Sequence, residues 1–172
     1  MKQAVYFSIL FIILVLIQVL LCNYINLFGI ATPFIFIYFI FRLPVNMSTG
    51  WLLTLSFAIG LTVDIFSDTQ GMNSLACTFI GAMRNPIFRL FVPRHNELTD
   101  HIPSTSSMGF GTYLKFLTTM TFLYCVIITS IEAFTISNMA ISALRAVGST
   151  ILSFVIILGI DCIVNTKNEK RL

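Results

Sequence analysis

The sequence predicts an all-α integral membrane protein with six transmembrane helices, and three observations carry that expectation. Of the 172 residues, 57% are hydrophobic and only 10% are charged. A soluble domain carries about 25% charged residues, and a chain this short cannot bury so much apolar side chain away from water. Apolar runs near the ~20 residues needed to cross a bilayer recur along the chain, parted by short polar breaks. Finally, the basic residues fall on one side. With the N-terminus in the cytoplasm, nine of the ten Lys and Arg lie at or near the inner face, and only Arg145 does not.

The first span is expected over about 4–22. Lys2 followed by "AVYFSILFIILVLIQVLL" has the look of a secretory signal, but the apolar run is long and no small-residue cleavage site follows. It reads as an uncleaved helix. "CNYIN" breaks the chain, and a second span is expected over about 27–41, with Pro33 inside it. A proline there is tolerable because neighbouring helices can satisfy the freed carbonyl. "RLPVNMSTG" is a polar turn, and the third span is expected over about 50–66. The fourth, about 71–84, is short. "RNPIFRLFVPRHN" follows, and two readings stay open: an interfacial helix over 85–92, started by Pro86 with Asn85 as cap, or a continuation of the fourth span kinked at Pro86.

Residues 93–111 form the one substantial polar segment, rich in Ser, Thr, Gly and Pro, and read as a cytoplasmic loop. The fifth span is expected over about 112–134 and the sixth over about 139–161, ahead of a basic tail. The whole, 1–172, reads as one transmembrane domain with both termini cytoplasmic.

Catalytic and metal chemistry find little support. Cys22, Cys77, Cys125 and Cys162 lie in or at the ends of apolar runs with no metal-ligand spacing. His95 and His101 sit in the polar loop with no nucleophile at a telling distance. No Walker or dinucleotide glycine pattern occurs.

The informative stretch is "GLTVDIFSDTQGMNSL", residues 60–75. Asp68 falls in a turn and is expected to cap the fourth helix together with Thr69. Asp64 lies one helical turn earlier, below the surface, where a carboxylate is expensive unless it faces a bundle interior or a wet cavity. Gly60 shares its helix face and lets another backbone come close. Asp64 is therefore expected to point into the bundle. Glu132 and Arg145 are the charges left near the outer end of the fifth and sixth helices, and are expected to pair across them.

The stretches "TPFIFIYFIFRLP" (32–44) and "AIGLTVDIFSDTQGMNSL" (58–75) resemble the MreD family, small inner-membrane proteins of the bacterial rod-shape system. The family tends to have a proline early in the second helix, an arginine near that helix's inner end, and a G-L-x-x-D-x(6)-G-x-x-x-L signature. Here these fall on Pro33, Arg42, Gly60, Leu61, Asp64, Gly71 and Leu75. An acid often follows the family's proline, and here that position holds Phe34.

The resemblance implies a fold similar to the six-helix substrate-binding subunits of energy-coupling-factor transporters. It also implies a non-enzymatic scaffold of the cell-elongation complex that helps control cell shape and lateral peptidoglycan synthesis. The implied partners are membrane lipid and MreC, with RodA, a class B penicillin-binding transpeptidase and MreB in the wider complex. No cofactor and no nucleic acid are implied. The similarity to transporter subunits supplies an alternative, a vitamin-type transport subunit. The bulky first helix, with only Ala4 and Ser8 small at its start, speaks against that alternative.

Overall fold

Apolar runs without proline, bounded by Ser, Thr, Gly and Asn, leave the backbone one economical way to satisfy its own polar groups, the helix. The computed structural model describes residues 2–22, 32–91, 103, 108–133 and 139–169, and every regular element among them is helical. We label them α1 (Lys2–Ile17), α2 (Ile37–Arg42), α3 (Thr49–Ser67), α4 (Met72–Phe91), α5 (Phe110–Ala133) and α6 (Met139–Glu169). A π-helical stretch, Gln18–Cys22, extends α1. Among the described residues, three segments are long and apolar enough to cross a membrane: Thr49–Ser67, Phe110–Glu132 and Leu144–Cys162. The apolar part of α1, Val5–Leu20, is shorter.

The expected third and fifth spans match α3 and α5 to within two residues. Two other expectations, for the second and sixth spans, need correction, and the reading left open after the fourth span is decided. The second span is not a helix with a proline inside it. Residues 32–35 have no regular structure, and among the described residues of that span only Ile37–Arg42 is helical. Pro33 supplies no N–H, and the residue before a proline is pushed toward extended geometry, which favours this break. The remainder of that expected span, 27–31, lies outside the described residues, as do His95, His101 and most of the 93–111 loop.

The fourth helix runs unbroken to Phe91 with Pro86 inside it. There is thus no separate interfacial helix over 85–91. Phe88 is buried and meets the Phe116 ring edge-on at 5.8 Å. The sixth helix overshoots its expected end at 161 and continues to Glu169.

The core is built round the broken second segment. Every residue from Ile35 to Leu43 is buried, an uninterrupted run that only an element wrapped on all sides can have. Contacts set the directions of its neighbours. Phe7 and Phe11 of α1 meet Phe39 while Gln18 meets Pro33 and Ile35, so α1 runs antiparallel to this segment. Thr32, Phe34 and Tyr38 meet Ser149, Ser153 and Asp161 in turn, so α6 runs parallel to it. On α4, Asn73 meets Tyr124 and Phe88 meets Phe116, so α4 and α5 are antiparallel.

Helices α3 and α4 form a tight hairpin. A Cβ on Gly60 would lie 2.6 Å from the Ser74 Cα, and one on Gly81 would lie 2.5 Å from the Ser56 hydroxyl. Small residues at both crossings let the backbones touch, the close packing that holds helices together where no water drives them.

Candidate functional site

Two clusters of buried polar groups mark the two ends of the bundle. The first centres on Asp64, which is buried at the end of α3. The chain leaves α3 through Asp68, which has left-handed geometry (φ 54°), and turns at Gly71 (φ 76°), where only glycine is unstrained. Helix α4 starts at Met72, which puts Gly71 at its cap position. Glycine has no side chain to receive the orphan N–H groups of the first turn.

Asp64 does that work from the preceding helix. One oxygen accepts from the Asn73 N–H at 3.1 Å, Asn73 Nδ2 at 3.0 Å and the Thr69 hydroxyl at 2.5 Å. The other accepts from the Ser74 N–H at 2.8 Å and from the Ser74 hydroxyl. Five donors and the positive end of α4 converge on this one carboxyl. The network reaches α5, where the buried Tyr124 hydroxyl donates to Asn73 Oδ1 at 2.6 Å. Tyr124 in turn meets the Phe34 and Phe36 rings at 5.1 and 5.9 Å.

Asp64 thus points inward, as its depth suggested. Asp68 takes a different role from the one expected. It closes α3, its N–H donating to the Asp64 carbonyl, and Thr69 serves Asp64 instead of capping α4 with Asp68.

The second cluster lies at the opposite end. Arg42, at the end of α2, is 3.6 Å from Asp161 on α6, and both are buried. The Tyr38 hydroxyl donates to the same Asp161 oxygen at 2.8 Å, and the Arg42 guanidinium lies 5.8 Å from the Tyr38 ring centre. Tyr38 and Arg42 stand four apart on one face of α2, so a single carboxylate serves both. Arg84 of α4, 1% exposed, reaches the same helix end and donates to the Phe41 and Leu43 carbonyls. These are the orphan acceptors and the negative pole of α2. Its Nε and Nη1 are buried without a hydrogen-bond partner.

Between the clusters lies the unwound stretch containing Pro33, which is buried. Its backbone would be an unsatisfied liability at membrane depth. Gln18, 3% exposed at the start of the π-helical turn, answers it from one side. The Gln18 amide donates to the Pro33 carbonyl at 3.0 Å and accepts from the Ile35 N–H at 2.9 Å. From the other side, the Ser149 hydroxyl accepts from the Thr32 N–H at 3.1 Å and the Ser153 hydroxyl from the Phe34 N–H at 2.8 Å. Alternate residues face α1 and α6, as in a strand.

Glu132 lies in the last turn of α5 and Arg145 in the second turn of α6. The expected direct pair does not form: among the described residues, Arg42–Asp161 is the one ion pair within 4.0 Å. The sites thus gather Gly60, Asp64 and Gly71 at one end and place Arg42 at the other.

Sequence reasoning missed Asp161, Tyr38, Arg84 and Gln18. A signal existed for Asp161, since an acid inside an apolar span asks for a cationic partner at the same depth, and Arg42 sits at the matching inner end. Among the described residues, no three His, Cys, Asp or Glu side chains come together as a metal site would require. No family model, curated protein or solved structure matches the chain.

Proposed function

We propose that the chain is a non-enzymatic scaffold of MreD type, crossing the bacterial cytoplasmic membrane six times with both termini cytoplasmic. In this reading it holds part of the cell-elongation complex. MreC is the direct partner, and RodA, a class B penicillin-binding transpeptidase and MreB belong to the wider assembly.

The observation that carries the reading is the α3–α4 hairpin. Gly60, Asp64 and Gly71, three members of the signature, each have a separate mechanical part in it: close approach, capping and turn. The two leucines of the signature, Leu61 and Leu75, have no part in that junction and lie exposed on the outside of the hairpin. A motif whose polar members fasten two helices and whose apolar members face outward suits a protein that presents a rigid surface to other membrane helices. The orientation is supported by the basic groups. Arg42, Arg84, Arg89 and Lys115 lie toward the end of the bundle opposite Asp64, as the positive-inside rule asks of a cytoplasmic face.

A second reading, a small-molecule transport subunit, is favoured by one feature. Unwound backbone in mid-bundle is how many transporters build a binding site. Purification in mild detergent with identification of the co-eluting proteins separates the two. Recovery of MreC or the transpeptidase is expected. Recovery of an ATPase coupling module, or of a bound vitamin, would overturn the scaffold reading.

A further inference from the structure

The outer face of the α3–α4 hairpin carries a backbone acceptor without its usual donor. Pro86 has no N–H, so the Ala82 carbonyl four residues earlier loses the bond that a helix ordinarily supplies. Ala82 lies ten residues beyond the start of α4, about 15 Å along a helix that spans about 30 Å, and so sits near mid-membrane. Ala82 and Pro86 are both exposed. Among the described residues no side chain donates to this carbonyl. Acyl chains offer no donor at that depth, and a bare carbonyl in hydrocarbon is unfavourable. A neighbouring helix with a hydroxyl at the same height satisfies it.

Such a hydroxyl stands on this chain's own surface. Gly81 packs on Ser56, which sets those two residues level. Thr54 comes two residues before Ser56, and Ala82 one after Gly81. Because α3 and α4 are antiparallel, both steps lead toward the Arg42 end, by about 3 and about 1.5 Å, so Thr54 and Ala82 are level to within about 2 Å. They also share a side of the hairpin. The rest of the bundle covers the flank that holds the buried Ile59 and Ile80. Thr54, Phe57 and Leu61 of α3 are exposed on the other flank with Leu75 and Ala82 of α4. The Thr54 hydroxyl bonds the Gly50 carbonyl of its own helix at 2.9 Å. The helix already supplies that carbonyl with the Thr54 N–H, so the hydroxyl hydrogen is free to turn outward.

We propose that this face pairs with the same face of a second copy about a two-fold axis along the membrane normal. Such an axis preserves height and sets α3 of one copy against α4 of the other. The Thr54 hydroxyl of each copy then donates to the Ala82 carbonyl of the other, so the bond occurs twice. Ala82 is small enough for close approach, and Phe57, Leu61 and Leu75 pack round the two bonds. The face is the one that the scaffold reading offers to other membrane helices, but the test reads self-association alone, so either can fail without the other.

The test uses the full chain, purified in detergent and reconstituted in vesicles of phosphatidylethanolamine and phosphatidylglycerol. Energy transfer between donor-labelled and acceptor-labelled copies, followed as lipid dilutes the protein, gives the dimer fraction. The parent should dimerise reversibly. Thr54→Val removes the donor and should weaken the dimer about tenfold, since two bonds are lost. Pro86→Ala returns an N–H to the Ala82 carbonyl within its own helix. It should weaken the dimer to a similar degree while raising the melting temperature of the monomer, a combination that misfolding does not produce. The double variant should be no weaker than either single one, because both changes remove the same bond. Thr118→Val, which loses an exposed hydroxyl on α5, should match the parent. A chain that is monomeric at every dilution, or a dimer that either Thr54→Val or Pro86→Ala leaves unchanged, overturns the proposal. So does a monomer that takes up a different membrane protein on this face. Should Pro86→Ala fail to fold, Thr54→Val decides alone.

Discussion

Gly60 shows how closely one residue can be tied to the fold. The space its side chain would take is filled by the backbone of Asn73 and Ser74, which cannot rotate away. Gly50, near the start of the same helix, has nothing within 4 Å. The same substitution should therefore have opposite signs at the two sites. Gly60→Ala should destabilise by about 1–3 kcal/mol through overpacking, whereas Gly50→Ala should be neutral or stabilise by up to about 1 kcal/mol, as alanine does in a helix. Thermal unfolding of the two variants in detergent checks this. Gly60 and the inward aim of Asp64 were legible in the sequence, because a shared helix face and depth follow from spacing alone. The donors were not. Ser74 and Asn73 reach Asp64 across a turn whose path depends on left-handed geometry at Asp68 and Gly71, and spacing does not encode that path.

At the scale of elements, α3 and α5 were legible almost to the residue, since a long apolar run between polar breaks has one outcome in a membrane. The second segment was not. Hydropathy is blind to whether an apolar stretch is wound or extended, and "TPFI" is as apolar as the helix that follows it. What permits the extended form is its partners, Gln18, Ser149 and Ser153, which are distant in sequence. Gln18 carries two of these bonds. Gln18→Leu should leave the Pro33 carbonyl and the Ile35 N–H unsatisfied and cost about 2–4 kcal/mol. Lowered thermal stability and faster hydrogen exchange at 34–36 are the expected outcomes. Ser130→Ala is the control, because that exposed hydroxyl bonds only the Val126 carbonyl of its own helix and its loss should change little.

For the whole molecule, alternation of direction and segregation of charge describe the same arrangement. Asp64 closes one end of the bundle, while Arg42, Asp161 and Arg84 fasten the other. The asymmetry of Lys and Arg made this polarity legible before any contact was known. The pairing of Arg42 with Asp161 was missed, although an acid inside an apolar span points to a cation at its own depth. A single reporter cysteine placed in the 95–107 loop should resist impermeant thiol reagents in intact cells and react after the membrane is opened. Labelling from the periplasmic side would reverse the orientation. The central claim is that the intramembrane charge at Asp64 is a fastener of the hairpin. The most direct measurement is the melting of purified Asp64→Ala and Asp68→Ala, read beside their ability to restore rod shape. Loss of the five donor contacts at Asp64 should cost about 3 kcal/mol, or roughly 6–12 °C for a chain of this length, with loss of shape rescue. Asp68→Ala should stay close to the parent in both. An Asp64→Ala protein that melts with the parent yet fails to restore shape would contradict the account.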